Sequence, residues 1–403
     1  MSRASIRERL GDDERFDWLR LIRSENVGPR TFFALLRRFG AARSALAALP
    51  DLARRGGAPR PIRVAERGEI ERELDGAAAL GVRYAAFGEP EYPPALRQID
   101  SPPPLIGWLG RAEALSGAAI AIVGSRNASA AGLTFADRLA RGLGQAGYVV
   151  VSGLARGIDQ RAHFAALATG TLGVLAGGFA RPYPPEAAKL MPLIAETGAV
   201  VSEMPIEWEP RGRDFPRRNR LVSGLALATV VIEAARGSGS LITARCAAEQ
   251  NREVFAAPGS PLDPRAEGTN DLLRQGANLC ARVEDVLAVV DPIRARDPFS
   301  RFAEPAGATD QAAWSAAASQ DDDAPAPDAQ PGEAAPARED DDACLRRVEA
   351  LLGPAPIAVD DLARAADAPA RAVRGALVEL ELAGRIEYCG GDRVALIAPS
   401  EER

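Results

Sequence analysis

Four short apolar runs in this chain each end in a glycine-rich turn, and that pattern restricts the fold more than any other feature. Residues 118–123 (AAIAIV) lead into Gly124-Ser125-Arg126, and residues 148–151 lead into Ser152-Gly153-Leu154-Ala155-Arg156-Gly157. Residues 171–175 lead into Gly177-Gly178, and residues 229–232 into Glu233-Ala234-Ala235-Arg236-Gly237-Ser238-Gly239-Ser240. A strand, a glycine turn and a helix form the unit from which a parallel sheet is built. Helical patterns at 130–146, 158–169 and 241–251, with further strands at 199–202, 253–256 and 277–279, complete an α/β reading. In such a sheet all the turns fall at the carboxyl ends of the strands, where open α/β folds bind ligands. Glycine admits close backbone approach, and helix N-termini favour anions, so the turns point to a phosphate or polyanion site.

The flanks have a different character. Residues 16–50 read as short helices, with a tight turn at Asn26-Val27-Gly28-Pro29-Arg30. This pattern resembles a helix-hairpin-helix unit, which can present backbone N–H groups to DNA phosphates; plain helical packing is the favoured reading for it. Residues 91–110, rich in proline, read as a connector into the sheet. Helices at 359–366 and 370–383, a further helix marked by Leu345, Val348, Leu351 and Leu352, and a hairpin around Gly390-Gly391 make a winged-helix pattern. Arg371 and Arg374 on its third helix suit DNA; a regulatory or protein-binding role suits the pattern equally. The expected layout is therefore a helical domain over 1–75, an α/β core over 76–292, an acidic disordered linker over 293–342 and a winged helix over 343–403.

Charge belongs in the argument because of where it lies. The chain carries a net charge of −6, and residues 293–342, with 4 basic and 12 acidic side chains, hold −8 of it, which leaves +2 for the remainder. The folded parts are free to carry basic patches. Nearly all cations are arginine, with Lys189 the single lysine. Cys246, Cys280, Cys344 and Cys389 form no CxxC pair, which argues for a reducing compartment and against a zinc site. With no bilayer-spanning apolar run and a polar N-terminal stretch, the expectation is a cytoplasmic protein with no membrane, metal or cofactor.

Chemistry-bearing residues cluster at the turns. Ser125 is expected to cap the following helix and to donate to a phosphate, with Arg126 beside it offering a fork of donors. Gly124-Ser125-Arg126 lacks the spacing of a dinucleotide loop, and residues 236–243 (RGSGSLIT) lack the lysine of a Walker loop. Asp159 and His163, the only histidine, lie four residues apart. They could form an acid/base pair, but with no nucleophile nearby in sequence a packing or capping role is favoured. Residues 215–220 (FPRRNR) carry three arginines and an asparagine after an aromatic ring, the most DNA-like segment of the chain.

Taken together the chain resembles the DNA-processing protein A (DprA, or Smf) family. The resemblance rests on Val123-Gly124-Ser125-Arg126, residues 152–159 with Ala162-His163, Tyr183-Pro184-Pro185, Ser202-Glu203, residues 215–220, Glu233-Ala234 with 238–241, residues 254–259 and Gly268-Thr269-Asn270, in family order. It implies an extended Rossmann-like core that binds single-stranded DNA, dimerises, and helps load the RecA recombinase during natural transformation, with no enzymatic turnover. It implies a DNA and phosphate site at Gly124, Ser125, Arg126, Gly153, Arg156, Gly157, Lys189, Arg217, Asn219, Arg220, Gly237, Ser238, Gly239 and Ser240. It also agrees with an N-terminal helical domain of sterile-alpha-motif type and a C-terminal winged helix. A nucleotide-cleaving enzyme with phosphate turns and a transcriptional regulator are the competing functions.

Overall fold

The computed structural model describes residues 9–296, 337–389 and 392–397. Most of the expected linker and the Gly390-Gly391 turn lie outside these residues. The chain forms two compact units, one around Leu10–Ile70 with the C-terminal segment and one from Glu71 onward.

In the first unit, α1 (Asp12–Arg23), α2 (Pro29–Phe39) and α3 (Ala42–Arg55) form a small bundle. Trp18, Phe32 and Phe33 stack edge to face at its centre. Asn26 takes a positive φ of 57° in the turn between α1 and α2, and Gly28 and Pro29 start α2. The next helix, α4 (Arg67–Ala79), leads towards the sheet.

The second unit is built on a nine-stranded sheet ordered β1-β2-β6-β5-β4-β3-β7-β8-β9. Its elements in chain order are β1 (Arg83–Ala86), β2 (Leu105–Gly110), α5 (Glu113–Ser116), β3 (Ala119–Gly124), α6 (Ala130–Gln145), β4 (Val149–Ser152), α7 (Ile158–Ala166), β5 (Thr171–Val174), α8 (Ala187–Thr197), β6 (Ala199–Ser202), α9 (Asp214–Gly224), β7 (Ala228–Ile232), α10 (Gly239–Glu249), β8 (Glu253–Ala256), α11 (Glu267–Arg274), β9 (Asn278–Leu279) and α12 (Val283–Ala295). β6 to β9 in spatial order are parallel, as their continuous apolar sequences require when both faces are covered. Along β3 the side chains alternate: Ala119, Ala121 and Val123 join the cluster under α9 and α10, and Ile120 and Ile122 join the one under α6, α7 and α12.

Two expectations need correcting. The proline-rich stretch read as a connector contains β2, which pairs antiparallel with both β1 and β6, so the sheet is mixed and not purely parallel. Ser125 does not cap the helix after β3; Ser129 does, accepting from Gly132 N at 2.9 Å, while the Ser125 hydroxyl accepts from Asn127 N at 3.1 Å. Structure also reaches into the stretch expected to be linker, since α12 continues to Ala295 and the next helix starts at Ala337.

The C-terminal segment contains α13 (Ala337–Leu351), β10 (Ile357–Ala358), α14 (Val359–Ala366), α15 (Ala370–Leu382), β11 (Ile386–Tyr388) and β12 (Arg393–Leu396). Its small antiparallel sheet, ordered β10-β12-β11, closes over the three helices around Val348, Leu362, Leu377 and Leu380. This is a winged helix.

The chain order reverses at β3: β4, β5 and β6 lie to one side, β7, β8 and β9 to the other. At this switch point the backbones approach closely. A Cβ built on Gly124 would lie 1.9 Å from the Ile232 carbonyl oxygen, whereas one on Gly239 meets nothing within 4 Å. Gly124→Ala is therefore expected to cost about 2–3 kcal/mol, and Gly239→Ala to be neutral or slightly stabilising as a helix-start residue. Urea midpoints of the two variants check the pair.

Candidate nucleic-acid interface

The carboxyl edge of the sheet is organised by backbone contacts between its turns. Ser125 N donates to Ile232 O at 3.3 Å, and Ile158 N donates to Ser125 O at 3.2 Å, so the turns after β4 and β7 are tied to the turn after β3. Gly157 takes φ +78°, and a Cβ there would lie 2.3 Å from Ser125 O; only glycine meets both conditions. Gly237, at φ +79°, bends the loop that presents Ser238, the N-cap of α10, whose hydroxyl lies 2.8 Å from that of Ser240.

The switch-point crevice is where an open α/β fold would receive a nucleotide phosphate, at the start of the helix after β3. Here the chain fills it with its own anion. The Glu233 carboxylate accepts from Ser129 N at 2.8 Å and from the Ser129 hydroxyl, and it lies against Gly132, where a Cβ would come within 2.6 Å of it. The helix dipole at α6 is therefore already satisfied, and the anion-facing groups that remain lie along the outer rim.

Helix α9 crosses this edge. Asp214 anchors its start, accepting from Trp208 Nε1 at 2.9 Å and from Arg211 N at 2.8 Å. The three arginines that follow take different roles. Arg218 is buried, and its guanidinium donates to the carbonyls of Gly153 and Val174, under the turns after β4 and β5. It belongs to the inward stripe of α9 with Leu221, Val222 and Leu225. Arg220 is also turned inward, donating to Ser101 O at 2.6 Å and pairing with the buried Glu203. Arg217 shares that carboxylate at 3.0 Å but stays 44% exposed. Asn219 is buried and ties α9 to the next turn by donating from Nδ2 to Gly239 O at 3.1 Å.

Asp159 and His163 do not pair. Asp159 accepts from Gly153 N at 3.1 Å and Ala155 N at 3.4 Å, closing the turn from below. The Thr171 hydroxyl donates to Val150 O at 2.6 Å, so it accepts from His163 Nδ1, 2.8 Å away. Burial lowers the His163 pKa to about 3, and the ring is neutral. Burial also raises the Asp159 carboxyl to about 6, against the pull of Arg218, and lowers Arg218 to about 10. Both remain charged at neutral pH, as an internal counter-ion arrangement rather than a proton relay.

What is left on the surface is a rim of cations around an aromatic pair. Arg126 is exposed, with its guanidinium 5.5 Å from the Phe215 ring centroid. Phe215 meets Tyr183 edge to face at 5.5 Å, and Tyr183 is 48% exposed. Arg156 pairs with Glu186 at 2.9 Å near the start of α8, both side chains largely in solvent, and Lys189 lies exposed one turn further on. The expected site residues thus separate into an exposed set (Arg126, Arg156, Lys189, Arg217), a turn-forming set (Gly124, Ser125, Gly153, Gly157, Gly237, Ser238, Gly239, Ser240) and two internal ties (Asn219, Arg220). Sequence reasoning noted Tyr183, Glu203 and Glu233 as part of the family resemblance but gave them no role, and it missed the burial of Arg218. The signal for Arg218 was available: it lies three, four and seven residues before Leu221, Val222 and Leu225, the spacing of a buried helical stripe.

A model of the family described as DNA recombination-mediator protein A matches residues 83–291, about half of the chain. The chain belongs to that family. Models of the family's N-terminal helix-hairpin-helix domain and of its winged helix match residues 12–76 and 332–392. The DNA processing protein DprA of Bacillus subtilis is 41% identical over 221 residues, 54% of this chain and 74% of that one. Protein Smf of Escherichia coli is 39% identical over 199 residues, 49% of this chain and 53% of that one. The X-ray structure of DNA processing protein A from Streptococcus pneumoniae superposes with a TM-score of 0.57 at 31% identity, covering 70% of this chain and 99% of that one. No helix among the described residues is long and apolar enough to cross a membrane.

Burial pushes the Glu203 carboxyl up, but Arg220 and Arg217 outweigh it and hold it below the ordinary glutamate range. This pair therefore stabilises the fold above about pH 4.5 and loses that contribution as pH falls through the lowered value. Glu203→Gln is expected to cost about 3 kcal/mol at neutral pH, since the buried face of the pair is broken. It should also lose less stability than the wild type on acidification; urea titrations at neutral and acidic pH compare the two.

Proposed function

We propose that the carboxyl rim of the sheet binds single-stranded DNA and that the protein acts without turnover as a mediator of recombination in DNA processing. The observation that carries this reading is the stack of Arg126 on Phe215 beside the exposed Tyr183 ring, flanked by Arg156, Lys189 and Arg217. Cations on a rim match a chain of phosphates, and an open aromatic face needs an unpaired base to stack on it. A duplex would hide its bases from such a ring. The glycine turns place the half-buried hydroxyls of Ser125 and Ser238 at the edge, with no acidic residue in the first turn of α10. The family's description as a recombination mediator supports this reading.

On this reading phosphates lie along the rim and bases point away from the sheet, accessible to a recombinase. The partners are single-stranded DNA, the RecA recombinase that takes over the strand in natural transformation, and a second copy of this chain. Asn219 and Arg220 act through the positions of Gly239 and Glu203 rather than by touching DNA.

Fluorescence anisotropy with a labelled single-stranded oligonucleotide, duplex competitor and a salt titration tests the site. Tyr183→Ala and Arg126→Ala should each weaken binding by about 1–3 kcal/mol, roughly five- to a hundredfold in Kd. The salt dependence should follow a slope of about −0.7 per phosphate contacted. Equal affinity in wild type and both variants would place the DNA elsewhere on the protein.

A further inference from the structure

The winged helix and the N-terminal bundle belong to one unit, and the contact between them has an unusual chemistry. The C-terminal end of α15 rests on α2, α3 and the turn before α2. Glu379 is buried there, with its carboxylate between Arg38 at 3.1 Å and Arg55. Glu381 accepts a hydrogen bond from the Thr31 hydroxyl, and a methyl group built on Gly28 would sit 3.8 Å from its Oε1. Asn26 Nδ2 donates to Leu382 O at 3.0 Å, and Arg30 lies over the Tyr388 ring at 4.6 Å.

These contacts fall on the groups a helix-hairpin-helix turn would turn towards a phosphate. Helix α2 begins at Gly28 and Pro29 with no side-chain cap and no acidic residue in its first turn, so its own sequence leaves its amide end unsatisfied. An anion is drawn to such an end, and the one found there is the Glu381 carboxylate of another domain. The second carboxylate, Glu379, occupies an arginine pair on the same face. The face has cations, a hydroxyl and a helix start, but its aromatic rings are not available for stacking: Phe32 and Phe33 are buried, and Arg38 lies over Phe39 at 5.6 Å. It suits a polyanion whose bases are turned inward, which is duplex DNA.

We propose that the α2–α3 face of the N-terminal domain is a site for the phosphate backbone of duplex DNA, and that Glu379 and Glu381 of the winged helix occupy it in place of phosphates. Duplex and winged helix then compete for one surface, and the apparent duplex affinity of the intact protein is reduced by the fraction of molecules in which the face is covered. Arg37 and Arg374 lie within electrostatic reach of each other as like charges. This site is separate from the single-strand rim of the sheet and does not depend on it.

Gly56 gives a clean way to open the contact. Its backbone is in the ordinary right-handed helical region, at φ −67° and ψ −1°, which any residue adopts, yet a Cβ would lie 2.0 Å from Glu379 O. Gly56→Leu should therefore displace α15 without removing a charge. The double variant Glu379→Gln with Glu381→Gln removes both carboxylates from the opposite side and decides the matter if Gly56→Leu disturbs α3. Anisotropy of the full-length chain with a short labelled duplex should show both forms binding about tenfold tighter than wild type. Adding Arg38→Ala to either should remove the gain. No gain in either form, or a gain for single-stranded oligonucleotide only, overturns the proposal. Single-strand binding measured on the same samples, with Arg126→Ala as its control, tests the sheet-edge reading separately, so failure of one leaves the other interpretable.

Discussion

The geometry of the sheet edge depends on one buried cation. Arg218 lies beneath the turns after β4 and β5 and donates to a carbonyl from each. Those carbonyls are buried at strand ends, where no neighbouring strand can satisfy them, and leaving such groups unpaired costs about 1–3 kcal/mol each. Asp159, accepting from two amides of the same turn, supplies the nearby negative charge that makes the buried guanidinium tolerable. With Arg218 held, the register of α9 is set, and Phe215 and Arg217 are carried to the rim. The candidate surface is thus placed by a residue that does not reach it. Both bonds leave one nitrogen, Nη1, while Nε of the same guanidinium donates to Asn219 Oδ1 at 3.4 Å, so one side chain serves three acceptors.

This division of labour explains which parts of the molecule were legible in the sequence. The parallel strands were, because a strand covered on both faces must be apolar throughout, and runs such as 118–123 and 229–232 have no other stable use in a sheet. The winged helix was legible for a related reason: Leu345, Val348, Leu377 and Leu380 mark helical stripes that need one another. β2 was not, because it follows a proline-rich segment, carries Gly107 and Trp108, and pairs antiparallel without a crossover helix to announce it. Gly107 is there for packing, since a Cβ would press to 3.2 Å on Phe179, and such a need has no local signature.

The clustering of the candidate residues at the sheet edge was legible, and the structural part each one plays was not. Basic residues in 215–220 look equivalent when counted, but a helix distributes them over opposite faces, and only Arg217 keeps substantial access to solvent. Tyr183 became informative only when Phe215, 32 positions later in the chain, was found against its ring. The contact between Thr31 and Glu381 lies still further from sequence reasoning, as it joins residues 350 positions apart. Pairings of that kind depend on how finished domains meet, and neither periodicity nor composition carries the information.

Glu233 gives the edge of this sheet a selectivity that its glycine turns alone would not have. A cell contains abundant free nucleotides, and an open crevice at the start of α6 would hold them by their phosphates. With a carboxylate of its own lodged there, the protein offers a single phosphate group no enclosed seat. A polymer is not at the same disadvantage, because it can spread many weak contacts along the rim and hold by their number. On the proposed function, one side chain would let this sheet edge pass over the monomers and respond to a strand.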